Sequence, residues 1–348
     1  NHPVSSKWVQ RALDNGATWI VVDPRYTRSA EMADIYCPIR SGTDIAFYGG
    51  LFNYILEHDL WQHEDVLNYE EIVRVVRQAA ALGVKHLRVT GGEPMARKGC
   101  LELVDMLHHI PGIETIALTT NGLLLDGRIA EAKAKGLTSL NISMDSVDAE
   151  IFRTMTRGGD VHTVLRVIDE ALTAGLKVKI NAVPVRGMND AGLTQVAELA
   201  RTRPICVRFI ELMPLGCGKG LAPIPTDEMM ARMEAAFGAM AADTSVHGYG
   251  PAKYVRPAGF VGSLGFISPL SHEFCDQCNR VRLTADGFLK LCLNHKAGVD
   301  LRALLRGGAT DAQVRETLAD AIANKPQRHG FLETVADAES RWMNEIGG

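Results

Sequence analysis

The sequence lacks the features that would assign it to a membrane or to nucleic acid. No hydrophobic run approaches the roughly 20 residues that a membrane-spanning helix needs, and no secretory signal pattern stands at its start. The 37 Lys and Arg residues are nearly balanced by 41 Asp and Glu residues, so the net charge is only −4. This charge gives no general attraction to nucleic acid or to anionic membranes. We therefore expect a cytoplasmic protein with neither of these as a partner.

Cysteine is also scarce, with 7 residues in a chain of 348. Four of them are scattered, and we expect plain core or surface thiols at Cys37, Cys100, Cys206 and Cys217. The other three lie within one short segment. A low count with one cluster favours a reducing compartment and a bound metal over disulfide bonds.

From Glu70 onward, segments with helical spacing alternate with short apolar runs. Residues 70–83, EEIVRVVRQAAALG, have helical periodicity and end in glycine. The apolar runs that predict strands are HLRVT, TIALT, SLNIS, KVKINAV and CVRFIE. Strand and helix in repetition predict a parallel sheet with right-handed crossovers, and the length suits one large α/β barrel or two ordinary domains. The alternation is lost from about Leu215 to Leu270.

Small, polar or otherwise distinctive residues follow the predicted strands, where each strand ends. These segments are TGGEP (90–94), TTNG (119–122), SMDS (143–146), RGMND (186–190) and ELMP (211–214). Parallel barrels and open α/β sheets build their sites at the carboxyl ends of their strands. Any one of these loops could be an ordinary turn, but five in series favour a shared pocket.

Residues 1–69 have a different pattern: helix, strand, loop, and a helix from about Asp44. The predicted strand TWIVVD ends in an acidic residue, and SGTD opens the next helix with side chains suited to an N-cap. An acidic group after a strand and free amides at a helix start suit the sugar or guanine edge of a nucleotide. A solvated turn explains the same residues equally well.

The clustered cysteines lie in FCDQCNRVRLTADGFLKLCL (274–293), where a CxxC step is followed by Cys292 after thirteen residues (279–291). A structural zinc takes four ligands, and His272 or His295 could complete a Cys₃His site. An iron–sulfur cluster held by three cysteines leaves one iron open. Arg280 and Arg282 alternate along an apparent strand and could together bind a polyphosphate. The spacing leaves zinc and iron–sulfur open.

These motifs, read in order, resemble the GTP 3′,8-cyclases of molybdenum cofactor biosynthesis, a radical S-adenosylmethionine (SAM) family. The resemblance runs through LRVTGGEP, LTTNG, NISMDS, KVKIN, RFIELMP and the cysteine segment, and covers residues 70–348. It implies an α/β fold, an incomplete (β/α)6 radical-SAM-type barrel with a C-terminal iron–sulfur extension. We expect the barrel over 70–214 and the extension over 215–348, preceded by a small α/β segment over 1–69. The implied reaction converts GTP to 3′,8-cyclo-7,8-dihydro-GTP by SAM radical chemistry and is that of a lyase.

The resemblance also implies roles for single residues. Cys275, Cys278 and Cys292 would ligate a C-terminal [4Fe-4S] cluster with an open iron facing GTP. The implied GTP contacts are Arg88, Thr119, Lys179, Arg280 and Arg282, and the implied SAM contacts are Gly92, Ser143 and Met213. His86 stands where the family often has lysine, which predicts weaker affinity for phosphate because histidine is mostly neutral at pH 7.

The family's CxxxCxxC motif, which binds the SAM-cleaving N-terminal [4Fe-4S] cluster, has no counterpart here, since Cys37 is the only cysteine before Cys100. Residues 1–69 instead resemble part of a molybdopterin-dependent formate dehydrogenase through IVVDPRYTR and IRSGTDIAF. That resemblance implies contacts to a molybdopterin guanine dinucleotide from Asp23, Arg25, Gly42, Thr43 and Asp44.

The expected partners are GTP, SAM, an electron donor and the next enzyme of the molybdopterin pathway, and a homodimer is possible. Two alternatives to an active cyclase remain from the sequence. One is a non-catalytic remnant that binds GTP and SAM, and the other is a fragment of a molybdopterin-dependent oxidoreductase.

Overall fold

A computed structural model describes residues 17–23, 28–38, 66–215, 218–245 and 247–328. The chain divides into two compact units, residues 1–63 and 64–348. The functions expected for 1–69, 70–214 and 215–348 stay predictions.

In the first unit, strand β1 (Ile20–Val22) and strand β2 (Ile35–Cys37) pair in parallel, with the short helix α1 (Arg28–Glu31) between them in sequence. The strand predicted from TWIVVD is therefore present, and Asp23 follows it. The other residues predicted to contact a guanine dinucleotide, Arg25, Gly42, Thr43 and Asp44, lie outside the described residues.

Helix α2 (Tyr69–Ala81) opens the second unit. Asn68 caps it, because its side chain accepts a hydrogen bond from the Glu71 backbone N–H while the Glu71 carboxylate accepts one from the Asn68 N–H. The helix buries Val73 in the core of the barrel and Val75 in a second core formed by C-terminal elements. It therefore joins the barrel to the C-terminal extension.

The central sheet has eight strands in the order β3-β4-β5-β6-β7-β10-β9-β8. Its parallel strands are β3 (His86–Val89), β4 (Thr115–Thr120), β5 (Ser139–Ser143), β6 (Lys177–Ala182), β7 (Cys206–Ile210) and β10 (Ser263–Ile267). Two antiparallel strands, β8 (Met240–Ala242) and β9 (Lys253–Pro257), complete it. The predicted α/β fold with an incomplete radical-SAM-type barrel is confirmed, and each of the five strand predictions has its strand.

Helices pack against strands β4, β6, β7 and β10 of this sheet. They are α3 (Cys100–His108), α4 (Ile129–Ala134), α5 (Ala149–Met155), α6 (Val161–Thr173), α7 (Leu193–Thr202) and α8 (Thr226–Phe237). Five strands each supply a fully buried side chain to this core: Leu118, Leu140, Ile180, Val207 and Leu264. Because side chains alternate along a strand, the residues next to these positions face the interior of the barrel.

The extension has a three-stranded antiparallel sheet and two helices: β11 (Arg282–Leu283), β12 (Phe288–Lys290), β13 (Gly298–Asp300), α9 (Leu301–Arg306) and α10 (Asp311–Ala323). Gly287 turns the chain between the first two strands with a φ of +84°, and an added Cβ would lie 2.6 Å from the Arg302 Cβ. Leu289, Leu301 and Val314 form the second core with helix α2. Among the helices within the described ranges, none is long and apolar enough to span a membrane.

Candidate functional site

One face of the sheet carries polar and cationic side chains on neighbouring strands. Strand register places Arg88 beside Ala117, Thr119 beside Asn141, Asn141 beside Lys179, and Asn181 beside Arg208. Residues in register, and residues two apart on one strand, share a face. The predicted GTP contacts Arg88, Thr119 and Lys179 therefore lie on the same interior face.

The cations on this face are close enough to repel one another. Burial, together with the charges of Arg208, Arg280 and Arg282, lowers the pKa of Arg88 to about 10. Burial, together with the charges of Arg208 and Arg88, likewise lowers the pKa of Lys179 to about 8. The two arginines of the cysteine segment thus belong to the same cationic cluster as the barrel residues.

Arg208, which no sequence motif marks, belongs to the same cluster, because its charge lowers the pKa of both Arg88 and Lys179. Its side chain is only 3% exposed, and a terminal nitrogen donates a hydrogen bond to Asn141 Oδ1 at 2.8 Å. Its Nε is buried and has no hydrogen-bond partner within the described part of the chain. Burial lowers the pKa of this guanidinium. Burying a cation whose N–H donor has no acceptor costs free energy, unless a bound anion accepts the hydrogen bond and balances the charge.

Gly265 makes room for this arginine. It pairs with Arg208 across strands β7 and β10, and an added Cβ would lie 3.1 Å from Arg208 Cγ and 2.8 Å from a ring carbon of Tyr254. Arg208 also links to Thr119, because Asn141 Nδ2 donates to Thr119 Oγ1 at 3.5 Å. The sequence feature that could have indicated a role for Arg208 is a single arginine inside the apolar strand CVRFIE.

The predicted SAM contacts lie at or beyond the carboxyl ends of the strands. Gly92 is exposed in the turn after β3, where the neighbouring Glu93 carboxylate accepts hydrogen bonds from Thr120 Oγ1 at 2.8 Å and from the Asn121 N–H at 2.7 Å. These bonds tie the first two strand-end loops together. Ser143 ends β5 on the same face as Asn141 and lies about 7 Å farther along the strand.

Met213 follows β7 in a loop that a buried carboxylate anchors. Glu211 accepts hydrogen bonds from the backbone N–H groups of Thr226, Leu270 and Ser271 at 2.8, 3.0 and 3.0 Å. Burial opposes ionisation of Glu211, but these hydrogen bonds outweigh it and lower its pKa. The anchor fixes where the chain leaves β7, and so fixes the position of Met213.

A loop between β8 and β9 lies over the cationic cluster. Gly248 has a φ of +128°, and an added Cβ would lie 2.5 Å from Lys179 Nζ. The Tyr249 ring stacks on His86 with ring centroids 3.5 Å apart, while His86 Nδ1 lies 3.0 Å from Thr115 Oγ1. His86 is therefore engaged with this loop.

Three residues tie the same loop to strand β7. His247 Nδ1 lies 3.0 Å from Cys206 Sγ, and His247 Nε2 lies 2.8 Å from Asp243 Oδ2. Cys206 was expected to be a plain thiol, and burial raises its pKa, as for a core cysteine. The contacts give it a structural role in holding the loop.

The three clustered cysteines are half-buried, and Cys278 Sγ lies 3.3 Å from the Lys325 ammonium group. Cys275 begins a short 3₁₀ turn, and Cys278 follows that turn. Burial opposes ionisation of Cys278, but a backbone hydrogen bond at Arg280 and the charges of Arg280 and Lys325 lower its pKa. Cys278 and Cys292 both lie within electrostatic range of the half-buried Arg282.

No set of three or more His, Cys, Asp or Glu side chains in the described segments is arranged around a single ion position. The two histidines considered for a Cys₃His site have other neighbours. His272 Nε2 lies 3.1 Å from an Asp227 carboxylate oxygen, and His295 Nε2 lies 3.0 Å from the Arg328 carbonyl oxygen. The cysteine segment therefore has no preformed zinc geometry.

The residues before the barrel do not fit the SAM-cleaving cluster of the resemblance. Cys37 lies in β2 of the first unit, and no second cysteine precedes Cys100. Cys100 begins helix α3 and is buried, and this burial raises its pKa to about 11. These two thiols do not supply the three thiolates that such a cluster needs.

Comparison with known families agrees with this architecture. Residues 35–200 match the Radical SAM superfamily, and residues 205–331 match the family described as Molybdenum Cofactor Synthesis C. The first match defines the class of the barrel, and the second covers β7, β10 and the cysteine segment. The chain is thus a radical SAM protein with the C-terminal region of a molybdenum cofactor synthesis protein.

Curated relatives identify the family. The chain is 39% identical over 293 residues to a GTP 3′,8-cyclase from Clostridium perfringens, covering 84% of this chain and 91% of the relative. It is 44% identical over 290 residues to a GTP 3′,8-cyclase from Pelotomaculum thermopropionicum, covering 82% and 89%. The chain belongs to the GTP 3′,8-cyclase family.

Among solved structures, a radical SAM methyltransferase from Sphaerobacter thermophilus overlaps 46% of this chain and 50% of its own. The TM-score is 0.39 and the identity is 18%.

Proposed function

We propose that this chain binds GTP on the cationic face of its barrel, with the triphosphate among Arg88, Lys179, Arg208, Arg280 and Arg282. The observation that carries the proposal is that burial and the charges of neighbouring cations lower the pKa of Arg88, Lys179, Arg208 and Arg282. Four of them repel Arg88 or Lys179 strongly enough to lower a pKa. A polyphosphate would remove this repulsion and supply the acceptor that Arg208 Nε lacks.

Arg88 and Lys179 lie within their strands, whereas Gly92, Ser143 and Met213 lie at or beyond the carboxyl ends of theirs. Arg208 is level with Ser143, because both pair with Asn181. We assign SAM to the strand ends, where Gly92 allows close approach of the backbone. Thr119 is level with Lys179 along the strands and accepts a hydrogen bond from Asn141, which suits a contact to the nucleoside part of GTP.

We assign Cys275, Cys278 and Cys292 to a [4Fe-4S] cluster. The donor set fits such a cluster, because a cubane is held by thiolates on separate irons and does not need them gathered round one ion. When bound, the cluster supplies an open iron that can take a ligand atom. Arg280 and Arg282 lie in the same segment, so they join the cysteine segment to the triphosphate site.

The residues present do not fit the N-terminal cluster, so we derive no radical step for these 348 residues. The side chains of this chain support the proposals that it binds GTP and SAM and that it holds the C-terminal cluster. The electron donor, the next pathway enzyme and a homodimer remain predictions from the resemblance, as does the binding of a guanine dinucleotide by residues 1–69.

Titration calorimetry with GTP tests the proposal. Arg282→Ala should weaken binding about 10- to 100-fold, because a charge-assisted contact to phosphate contributes about 1.5–3 kcal/mol. Arg153→Ala is the matched control and should leave the affinity unchanged, since Arg153 is exposed on α5 and is not among the cations that lower the pKa of Arg88 or Lys179. Equal affinities of wild type and Arg282→Ala would place Arg282 in a structural role only.

A further inference from the structure

The side chain of Lys325 reaches into the cysteine segment and uses all of its donors there. Its Nζ lies 3.3 Å from Cys278 Sγ, 3.1 Å from the Arg280 carbonyl oxygen and 3.1 Å from the Leu291 carbonyl oxygen. An ammonium group has three N–H donors, so each can have an acceptor. A surface lysine would leave its donors to water, whereas this side chain is half-buried.

These acceptors belong to two separate stretches of chain. Arg280 follows the CxxC step, and Leu291 directly precedes Cys292. Lys325 thus links the stretch that carries Cys275 and Cys278 to the stretch that carries Cys292. Strands β11 and β12 also connect the two stretches, through the pairing of Arg282 with Lys290 and of Leu283 with Leu289.

Helix α10 holds the lysine in place. The helix ends at Ala323, and the backbone N–H of Lys325 donates to the Ile322 carbonyl oxygen at 3.2 Å. The helix is anchored by Val314 and Leu318, which are buried in the second core. A rigid element therefore delivers the ammonium group to the thiol.

We infer that Lys325 is a positioning residue for the C-terminal iron–sulfur cluster, holding its cysteine segments together and donating a hydrogen bond to the Cys278 sulfur. The inference rests on the proposed function, because it assumes that these cysteines bind the cluster. A positive charge and an N–H donor beside a ligating sulfur favour the reduced cluster. Lys325 should therefore raise the reduction potential as well as retain the iron.

The experiment compares wild type with Lys325→Met and Lys325→Arg after anaerobic reconstitution. Lys325→Met removes the charge and the donors at similar length, whereas Lys325→Arg keeps both. Lys296→Met is the matched control, because Lys296 is exposed and lies four residues after Cys292. The readouts are iron content, the rate of iron loss to a chelator, the midpoint potential and the electron paramagnetic resonance spectrum of the reduced cluster.

Wild type should bind about four irons per chain. Lys325→Met should lose iron roughly tenfold faster, in line with other groups that support metal ligands, and its remaining cluster should have a more negative potential and an altered spectrum. Lys325→Arg should restore most of the potential, and Lys296→Met should match wild type.

Two results would overturn the inference, and they are distinguishable. A wild-type protein that takes up no iron would overturn the cluster assignment and this inference with it. A wild type that binds iron, with a Lys325→Met potential and spectrum equal to its own, would refute the role of Lys325 alone, even if the variant were less stable.

Discussion

Lys179 shows how the crowding of cations affects a single residue. Its pKa is about 8 in the folded chain, because burial and neighbouring arginines disfavour its charge, whereas an unfolded chain gives lysine a pKa of about 10.4. Between these values the unfolded chain binds more protons, so the contribution of Lys179 to stability increases as pH rises through that window. Below about pH 8 Lys179 stays charged in the folded chain, and this charge lowers the free energy of unfolding, as expected for a binding residue.

A prediction follows for ligand binding. At pH 8 Lys179 is about half protonated without ligand, and a bound triphosphate should restore its proton. GTP binding should then take up protons from the buffer, so the measured enthalpy should vary with the ionisation enthalpy of the buffer. Lys179→Met should bind GTP more weakly and lose much of this buffer dependence. Binding enthalpies of wild type that are the same in phosphate and Tris buffers would contradict the assignment.

Single residues also show what the sequence could and could not reveal. Arg88, Lys179, Arg280 and Arg282 could be proposed because each lies in a recognisable motif. Arg208 could have been found as a lone charge inside an apolar strand, but its role depends on register. Only the pairing of β7 with β6 and β10 shows that it faces Asn181 and lies opposite Gly265.

At the scale of elements, five strands and helix α2 were predictable because their hydrophobic periods are regular. Strand β10 was not predicted, although it is buried beside β7. The chain reaches it through helix α8 and the antiparallel strands β8 and β9, so the strand–helix alternation that reveals a parallel sheet is broken there. Periodicity along a sequence does not specify a partner that lies beyond such an insertion.

The cysteine segment illustrates the same limit. Its spacing indicated a metal site but left zinc and iron–sulfur open. The contact between Lys325 and Cys278 spans 47 residues of sequence, and no local pattern predicts it. Packing of helix α10 against α2 brings the lysine to the thiol.

At the scale of the whole molecule, the barrel and the extension share one cationic cluster, but the thiolates for a SAM-cleaving cluster are missing from these 348 residues. We therefore expect no SAM cleavage by this polypeptide. Reconstituted protein incubated with dithionite, SAM and GTP should yield no 5′-deoxyadenosine by mass spectrometry beyond a Cys275→Ala control. Product above that control would mean that other side chains hold a second cluster.

The central claim is that barrel and extension together form the GTP site, and a crystal structure of the reconstituted protein with GTP tests it most directly. We predict the triphosphate within hydrogen-bond distance of Arg88, Lys179 and Arg208 from the barrel and of Arg280 or Arg282 from the extension, with Arg208 Nε donating to a phosphate oxygen. A triphosphate bound elsewhere, with the Arg208 guanidinium still lacking an anion, would contradict the account.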